Sequence, residues 1–472
     1  MLRERYDPMD LFILVPALSF AMEPVLAQLD RLLDDDLLVQ HVKADLRRRA
    51  PHTSTRGRPS TPVEVILRML VVKRLYGWSD EETEHFVADS LVLRQFCRVY
   101  LEAVPDDTTL LRWANLIEPA TLAALNERVV GLARSLKATR GRKLRVDSMV
   151  VETNIHHPTD SGLLGDGVRV LSRLLRRAKA AVGHAAPPGP QAFRSRVRSV
   201  RRLRRQLHRL ARRKGEGATE QLQRPYERLL AVARKTQAQA VRVCTLLRGQ
   251  TLPSAPRLVR QFEQVLPRVE RVIAQTVRRV LHGEVVPAQA KLVSLFEPHT
   301  QIIVRRKTGK AVEFGRKVWL EEVAGGIISG CRVLAEAGQG SPYLPDSLVA
   351  HQRRFGKPPH LLAADRGVYS TANEAVAQQA RIPRIVIPYA GKAPPARVAL
   401  ERTAWFRRGL RFRAGIEGRI SVLRRRFGLD RCRDHGEAGF ERWVGWGILA
   451  ANLGTIAHTV AGRSAQQAAR AA

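Results

Sequence analysis

Apolar residues recur along the chain with two different periods, and the switches between them outline its elements. Residues 62–76 follow helical spacing, with Val63, Ile66, Met69 and Leu70 on one face and Lys73 to Leu75 closing the run. Trp78 and Ser79 interrupt it, and Ser79 with Glu82 has the spacing of a capping box for a second helix. In "PDDTTLLRWANLI" Asp107 is placed to cap another, so 60–135 reads as one compact helical domain. Ahead of it, 1–59 holds an apolar run at 11–21, expected as a buried helix or hairpin, and the flexible link "RRRAPHTSTRGRPSTP". "RKLRVDSMVVET" then changes period: Leu144, Val146, Met149, Val150 and Val151 are strand formers around a single acid, Asp147.

Helical spacing returns from about 166 to 283. Val197, Val200, Leu203, Leu207 and Leu210 keep one face of a helix whose other positions are mostly arginine. A further helix carries Phe262, Val265, Leu266, Val269, Val272, Ile273 and Val280, and Pro187, Pro188 and Pro190 mark a loop. Strand patterns resume near 300, with turns at Thr308 to Lys310 and at Gly325 and Gly326. A helix at 344–355, a strand ending at Asp365, a helix from Thr371, the strand "RIVIPY" and an arginine-rich helix at about 401–426 follow. The order predicts an α/β core over 140–165 and 286–430, interrupted by a basic helical insertion at 166–285. An all-α N-terminal domain precedes this core, and a C-terminal helix and tail at 431–472 follow it.

Charge narrows the partners. Lys and Arg total 80 against 44 Asp and Glu, a formal +36, and the isoelectric point is near 11.3. A surface this basic calls for a polyanion, and nucleic acid fits better than a membrane. The helical domain at 60–135 is accordingly expected to contact DNA. Cys97, Cys244, Cys331 and Cys432 form no CxxC pair, which points to a reducing compartment without a zinc ribbon. The run at 11–21 follows Arg3 and Arg5 as a signal peptide would, but Asp7 and Asp10 lie in the would-be basic region and the run is too short to span a bilayer. No other stretch reads as a transmembrane helix, and the expected location is cytoplasmic.

Three acids stand out chemically. Asp147 and Asp365 interrupt or close apolar strands, and Glu417 is the lone acid in "RFRAGIEGRISVLRRRFG". Adjacent strands and a helix packed on their sheet can bring the three together. Three carboxylates at one point repel unless a divalent cation joins them, and hard oxygen donors suit Mg²⁺. Two such ions, about 3.5 to 4 Å apart, serve phosphodiester chemistry. Arg413, Arg419, Arg424, Arg425 and Arg426 would then hold DNA phosphates nearby. Against this stands an ordinary ion pair for each acid: Asp365 with Arg366, Asp147 with Arg145, Glu417 with Arg413. His156, His157 and Asp160 read as loop residues at the mouth of the site rather than metal ligands, Trp405 and Phe406 as helix packing rather than a base-stacking shelf, and "GKAPP" at 391–395 as a linker.

"LRVDSMVVETNIHHPTDSGLLGDGVRVLSRLLRRA", "VEFGRKVWLEEVAGGIISGCRVL" and "AADRGVYST" resemble bacterial insertion-sequence transposases of the DDE type, most closely the ISNCY-like group. "RGRPSTPVEVILRMLVVKRLYGWSDEETEHFVADSLVLRQFCRVY" is similar to their InsH-like N-terminal domain. The resemblance implies an RNase H-like core that joins a 3′-hydroxyl to target DNA with two Mg²⁺, for which Mn²⁺ can substitute. It places the first acid at Asp147, the second at Asp365 and the third at Glu417, with Glu401 as the alternative. The group's Tyr, Arg, Glu, Lys signature is kept at Arg413 and Glu417, while Leu410 stands at the Tyr position and Arg424 at the Lys position. It further implies double-stranded DNA partners (the element's terminal inverted repeats, gripped by the N-terminal domain and the insertion, and target DNA), a homodimer in the active complex, and a nucleoid-associated place in a bacterium. A nuclease of the same fold without strand transfer, or a DNA-binding protein that has lost catalysis, are the rival expectations.

Overall fold

A computed structural model describes residues 3–5, 22–48, 60–183, 193–212, 218–304, 311–336 and 341–471. The apolar run at 11–21, most of the link after residue 48, the Pro187 to Pro190 loop and the Thr308 to Lys310 turn lie outside the described residues. The chain forms two compact units, one of Met1–Asn154 with Arg316–Ala472, the other of Ile155–Gly315.

In the first unit, β1 (Lys143–Glu152), β3 (Val312–Val323, entering from the second unit), β4 (Ile327–Val333), β5 (Leu361–Ala363) and β6 (Arg384–Val386) lie in the order β4-β3-β1-β5-β6. β4 runs antiparallel to β3, whereas β5 is parallel to β1 and β6 to β5, so the sheet is mixed. Parallel neighbours need crossovers. Helix α12 (Leu344–Phe355) precedes β5, and α13 (Thr371–Gln379) connects β5 to β6.

Helices α1 (Pro24–Leu33), α2 (Asp36–Arg47), α3 (Val63–Tyr76), α4 (Asp80–Asp89), α5 (Leu91–Phe96), α6 (Asp107–Ala114) and α7 (Pro119–Ser135) precede the sheet. The capping box at α4 has both halves: the Ser79 hydroxyl accepts from Glu82 N at 3.1 Å, and the Glu82 carboxylate accepts from Ser79 N at 2.7 Å. The cap of α6 is Asp106 rather than Asp107, because its carboxylate is the one that reaches Thr109 N, at 2.6 Å. Helix α3 is buried on every face from Val63 to Val72, including Glu64 and Arg68, so its apolar stripe understates its burial.

The C-terminal helix α16 (Gly436–Ala471) packs on α1, α3, α7 and β4. Over Gly436–Arg470 it is the one helix among the described residues long and apolar enough to cross a membrane, where no stretch beyond 11–21 was expected to come near that length and composition. About two thirds of its most apolar window is buried in the first unit (67%). Buried Asn452 ties it down, donating to Asn126 Oδ1 at 2.7 Å and accepting from Ile328 N at 2.8 Å. The N-terminal helices, sheet and C-terminal helix therefore share a core.

The expected 401–426 helix is two helices, α14 (Pro395–Arg402) and α15 (Ala404–Phe427), because Thr403 leaves helical geometry and caps the second by accepting from Phe406 N at 3.4 Å. Phe406 is fully buried with Leu361, Ala363 and Val386. Helix α15 lies close on the sheet. A Cβ at Gly409 would sit 2.4 Å from Val386, and one at Gly415 would sit 2.4 Å from the Arg145 guanidinium, so both mid-helix glycines keep the space that lets α15 approach.

The second unit is a helical bundle of α8 (Asp160–Val182), α9 (Val197–Leu210), α10 (Ala218–Arg248) and α11 (Ala255–Thr276) with its own core. Val200, Leu203 and Leu207 of α9 and Phe262, Val269, Val272 and Ile273 of α11 are buried there, as their spacing predicts. The unit is wider than the expected 166–285 at both ends. Helix α8 starts at Asp160 because the Thr159 hydroxyl accepts from Gly162 N at 3.0 Å. β2 (Gln301–Val304) pairs antiparallel with the first residues of β3, Gln301 opposite Gly315.

Candidate active site

Parallel pairing of β1 with β5 sets Arg145 opposite Ala363. Carried two residues further, the same register puts Asp147 beside Asp365, just past the end of β5. Because side chains alternate along a strand, Arg145 and Asp147 leave β1 on the same face. That face meets α15, where Arg413 and Glu417 are one helical turn apart and point the same way.

All three acids reach Arg413. Its guanidinium Nη2 lies 3.0 Å from Asp147 Oδ2 and 3.8 Å from Asp365 Oδ2, and Nη1 lies 3.4 Å from Glu417 Oε1. The exposure of the side chains rises from 17% at Asp147 and 19% at Arg413 to 54% at Asp365 and 69% at Glu417, so the cluster opens to solvent on one side. Asp147 also accepts from Ser148 N at 2.7 Å, and Asp365 accepts from Arg366 N at 2.7 Å. The ordinary pairs weighed for these acids are thus mostly absent. Asp365 takes the backbone N–H of Arg366, Arg145 pairs with Glu322 at 2.7 Å instead of Asp147, and Glu417 keeps only its long contact with Arg413.

Burial pushes the Asp147 carboxyl above the usual range, the neighbouring Arg413 opposes this, and the charges of Asp365 and Glu417 push it up further. Between the unfolded carboxyl value and the raised native one, the native state therefore binds more proton at Asp147 than the unfolded chain does. As pH rises from the unfolded value through the raised native one, this residue costs stability. Asp147→Asn is expected to unfold at a higher temperature than the wild type at neutral pH, with the difference vanishing at pH below the unfolded carboxyl range. Thermal melts from pH 3 to 8 check this, and equal melting temperatures throughout would contradict it.

Beneath the cluster lies a second charged layer that sequence reading missed. Glu322, fully buried on β3, accepts from Arg145 Nε at 2.8 Å and stands 3.6 Å from Arg419 Nε. Arg145 also donates to the Phe412 carbonyl of α15. The available signal was the pair of acids inside the apolar run "VWLEEV", where a bulge at Glu321/Glu322 shifts the register. Of the arginines expected to hold DNA phosphates, Arg419 faces Glu322 at 3.6 Å, and Arg424 donates to the Val150 carbonyl at 3.0 Å. Arg425 and Arg426 are exposed. Glu401 stands outside the cluster, accepting from Tyr389 N at 2.8 Å and pairing with Arg397 at 3.3 Å.

The three carboxylates supply the hard oxygen donors that Mg²⁺ takes. Among the described residues no three His, Cys, Asp or Glu side chains are already gathered tightly enough to ligate one ion. The point where the acids converge is held by the Arg413 guanidinium. His156, His157 and Asp160 belong to the second unit: His156 lies 3.4 Å from Asp166, His157 meets the Phe314 ring edge-on, and Asp160 is buried against Arg279 at 2.7 Å. Asp160 is a helix residue rather than the expected loop residue.

Comparison with known proteins adds one finding. No curated protein and no solved structure matches the chain. Residues 19–116, which include α1 to α6 of the unit that carries the carboxylates, match the family model described as Transposase domain (DUF772), and this match supports a transposase family and a role in DNA processing.

Proposed function

We propose that the protein is an insertion-sequence transposase of the DDE type, of the ISNCY-like group with an InsH-like N-terminal domain, that cleaves DNA strands and joins a 3′-hydroxyl to target DNA. The observation that carries this reading is the convergence of Asp147, Asp365 and Glu417, from two adjacent strands and one helix, on a single guanidinium. The sheet order β4-β3-β1-β5-β6, antiparallel at β3/β4 and parallel from β1 to β6, supports an RNase H-like core.

Mg²⁺ would be held by Asp147, Asp365 and Glu417, and when bound it supplies charge stabilisation for the attacking and leaving oxygens. The chain's own residues do the rest. Arg145 and Glu322 fix the floor on which Asp147 stands, and α15 carries Glu417 to the same point. Arg413, once released from the acids, offers a planar fork suited to a phosphate, and exposed Arg425 and Arg426 can hold a strand further along the helix. The partners are the ends of the element and a target duplex, with a homodimer aligning two ends. Joined products longer than a labelled end fragment support strand transfer, whereas shortened products alone favour a nuclease.

The arginine lock gives its own expectation. Arg413→Gln removes the counterion from three carboxylates, one partly buried and two exposed, and should cost about 1 kcal/mol in metal-free buffer. Millimolar Mg²⁺ should raise the melting temperature of this variant more than that of the wild type, because no guanidinium competes. Equal Mg²⁺ shifts in calorimetry would show that Arg413 does not occupy the cation position.

A further inference from the structure

The basic insertion, expected to help grip DNA without any residue named for it, carries a group of charges that no ion pair among the described residues uses. Arg201, Arg204, Arg205, His208 and Arg209 follow the spacing i, i+3, i+4, i+7, i+8 and line one face of α9, opposite buried Val200, Leu203 and Leu207. Together with Thr159 and Ser161 at the start of α8 they form an open groove of about 830 Å³. All five basic side chains are exposed, and none has a hydrogen bond or ion pair among the described residues.

Four guanidinium groups on one face repel one another, and the usual remedy, interspersed carboxylates, is missing from the groove's lining. The nearest acid in sequence, Asp160, is turned inward to Arg279, at 2.7 Å. Asp166 is likewise buried, and its carboxylate pairs with Arg169 at 2.9 Å. The first turn of α8 adds its partial positive charge to the same wall. Gly165 is needed for this arrangement: a Cβ there would sit 2.7 Å from Arg204 Cδ, so the glycine lets Arg204 lie across α8. The groove is a concentration of cationic donors with its neutralising partner left to come from outside.

We infer that this groove is a binding track for the phosphodiester backbone of DNA, separate from the carboxylate cluster. From Arg201 to Arg209 the helix rises about 12 Å, which at about 3.4 Å of axis per phosphate faces three or four successive phosphates of one strand. Four guanidinium groups match that number, and the Thr159 and Ser161 hydroxyls line the opposite wall. A side chain set of this kind reads backbone rather than sequence.

The inference rests on the DNA-processing reading and is tested by binding alone. Full-length protein would be titrated with a fluorescent 40-base-pair duplex of arbitrary sequence over a range of salt. The groove variant carries Arg201→Gln, Arg204→Gln, Arg205→Gln and Arg209→Gln. Its control carries Arg224→Gln, Arg228→Gln, Arg234→Gln and Arg242→Gln, exposed positions on α10 outside the groove. The log–log salt slope of the groove variant should be shallower than wild type by about 3, at about 0.9 per phosphate lost, and Arg204→Gln alone shallower by about 1. The control should keep most of the wild-type slope. An unchanged slope in the groove variant, or an equal loss in the control, overturns the groove while leaving the transposase reading intact. Absence of duplex binding by the wild type overturns both.

Discussion

Asp365→Ala is expected to lower the proposed Mg²⁺-dependent DNA cleavage by about three orders of magnitude, the several kcal/mol that charge stabilisation at the reacting oxygens is worth, with duplex binding retained. The reason is placement. Asp365 stands just past the end of β5, its backbone extended, with one carboxylate oxygen tied to Arg366 N at 2.7 Å and the other 3.8 Å from Arg413. It is more than half exposed, so its removal leaves no buried partner stranded. The fold should tolerate the substitution, with melting temperature nearly unchanged, which separates a lost function from a lost structure. Quantitative gel assays with equal amounts of folded protein check the rate, and cleavage at the wild-type rate would remove Asp365 from the site.

Arg68→Ala should destabilise the first unit by about 3–5 kcal/mol, the cost of breaking a buried charge pair from one side. Arg68 is fully buried and, like Arg413, gathers three acids: Nη1 to Asp30 at 2.8 Å, Nη2 to Asp34 at 2.6 Å and Nε to Glu64 at 2.9 Å. It also donates to the Phe96 carbonyl at 3.0 Å. Without it, Glu64 is left almost wholly buried, with only the longer approaches of Arg98 and Arg5, at 3.7 and 3.2 Å. Urea denaturation reads this as a lower midpoint, and a shift under 1 kcal/mol would contradict it.

The two clusters share a composition and differ in burial, and that difference separates structure from chemistry. At Arg68 the guanidinium is enclosed among α1, α3 and the end of α5, so neither a metal nor a phosphate can replace it. At Arg413 two of the three acids face solvent, which is what the proposed exchange of the guanidinium for a cation requires.

The elements that carry the site were legible in the sequence for simple reasons. An acid inside an apolar strand, as at Asp147, or closing one, as at Asp365, is costly enough to stand out. Glu417 stands out because every other charge around it is positive. What could not be read is which residues meet across the fold. Arg413 and Asp147 are 266 positions apart, and nothing in local periodicity says that one arginine would gather all three acids or that Arg419 would turn to Glu322. For the same reason nothing local within 60–135 tells that its Asn126 accepts a hydrogen bond from Asn452 of the C-terminal helix. Periodicity finds which face of a helix is apolar; it does not say what covers that face.

The most direct test of the account is a strand-transfer assay. Full-length protein, Mg²⁺, an intact plasmid and a labelled duplex taken from the DNA that borders the coding sequence are incubated together, and the size of the labelled products is read on a denaturing gel. The account predicts label covalently joined to plasmid strands, abolished by chelator and by Asp147→Asn, Asp365→Ala or Glu417→Gln individually. Joining or cleavage that persists in all three variants, or no Mg²⁺-dependent strand breakage by the wild type, would contradict it.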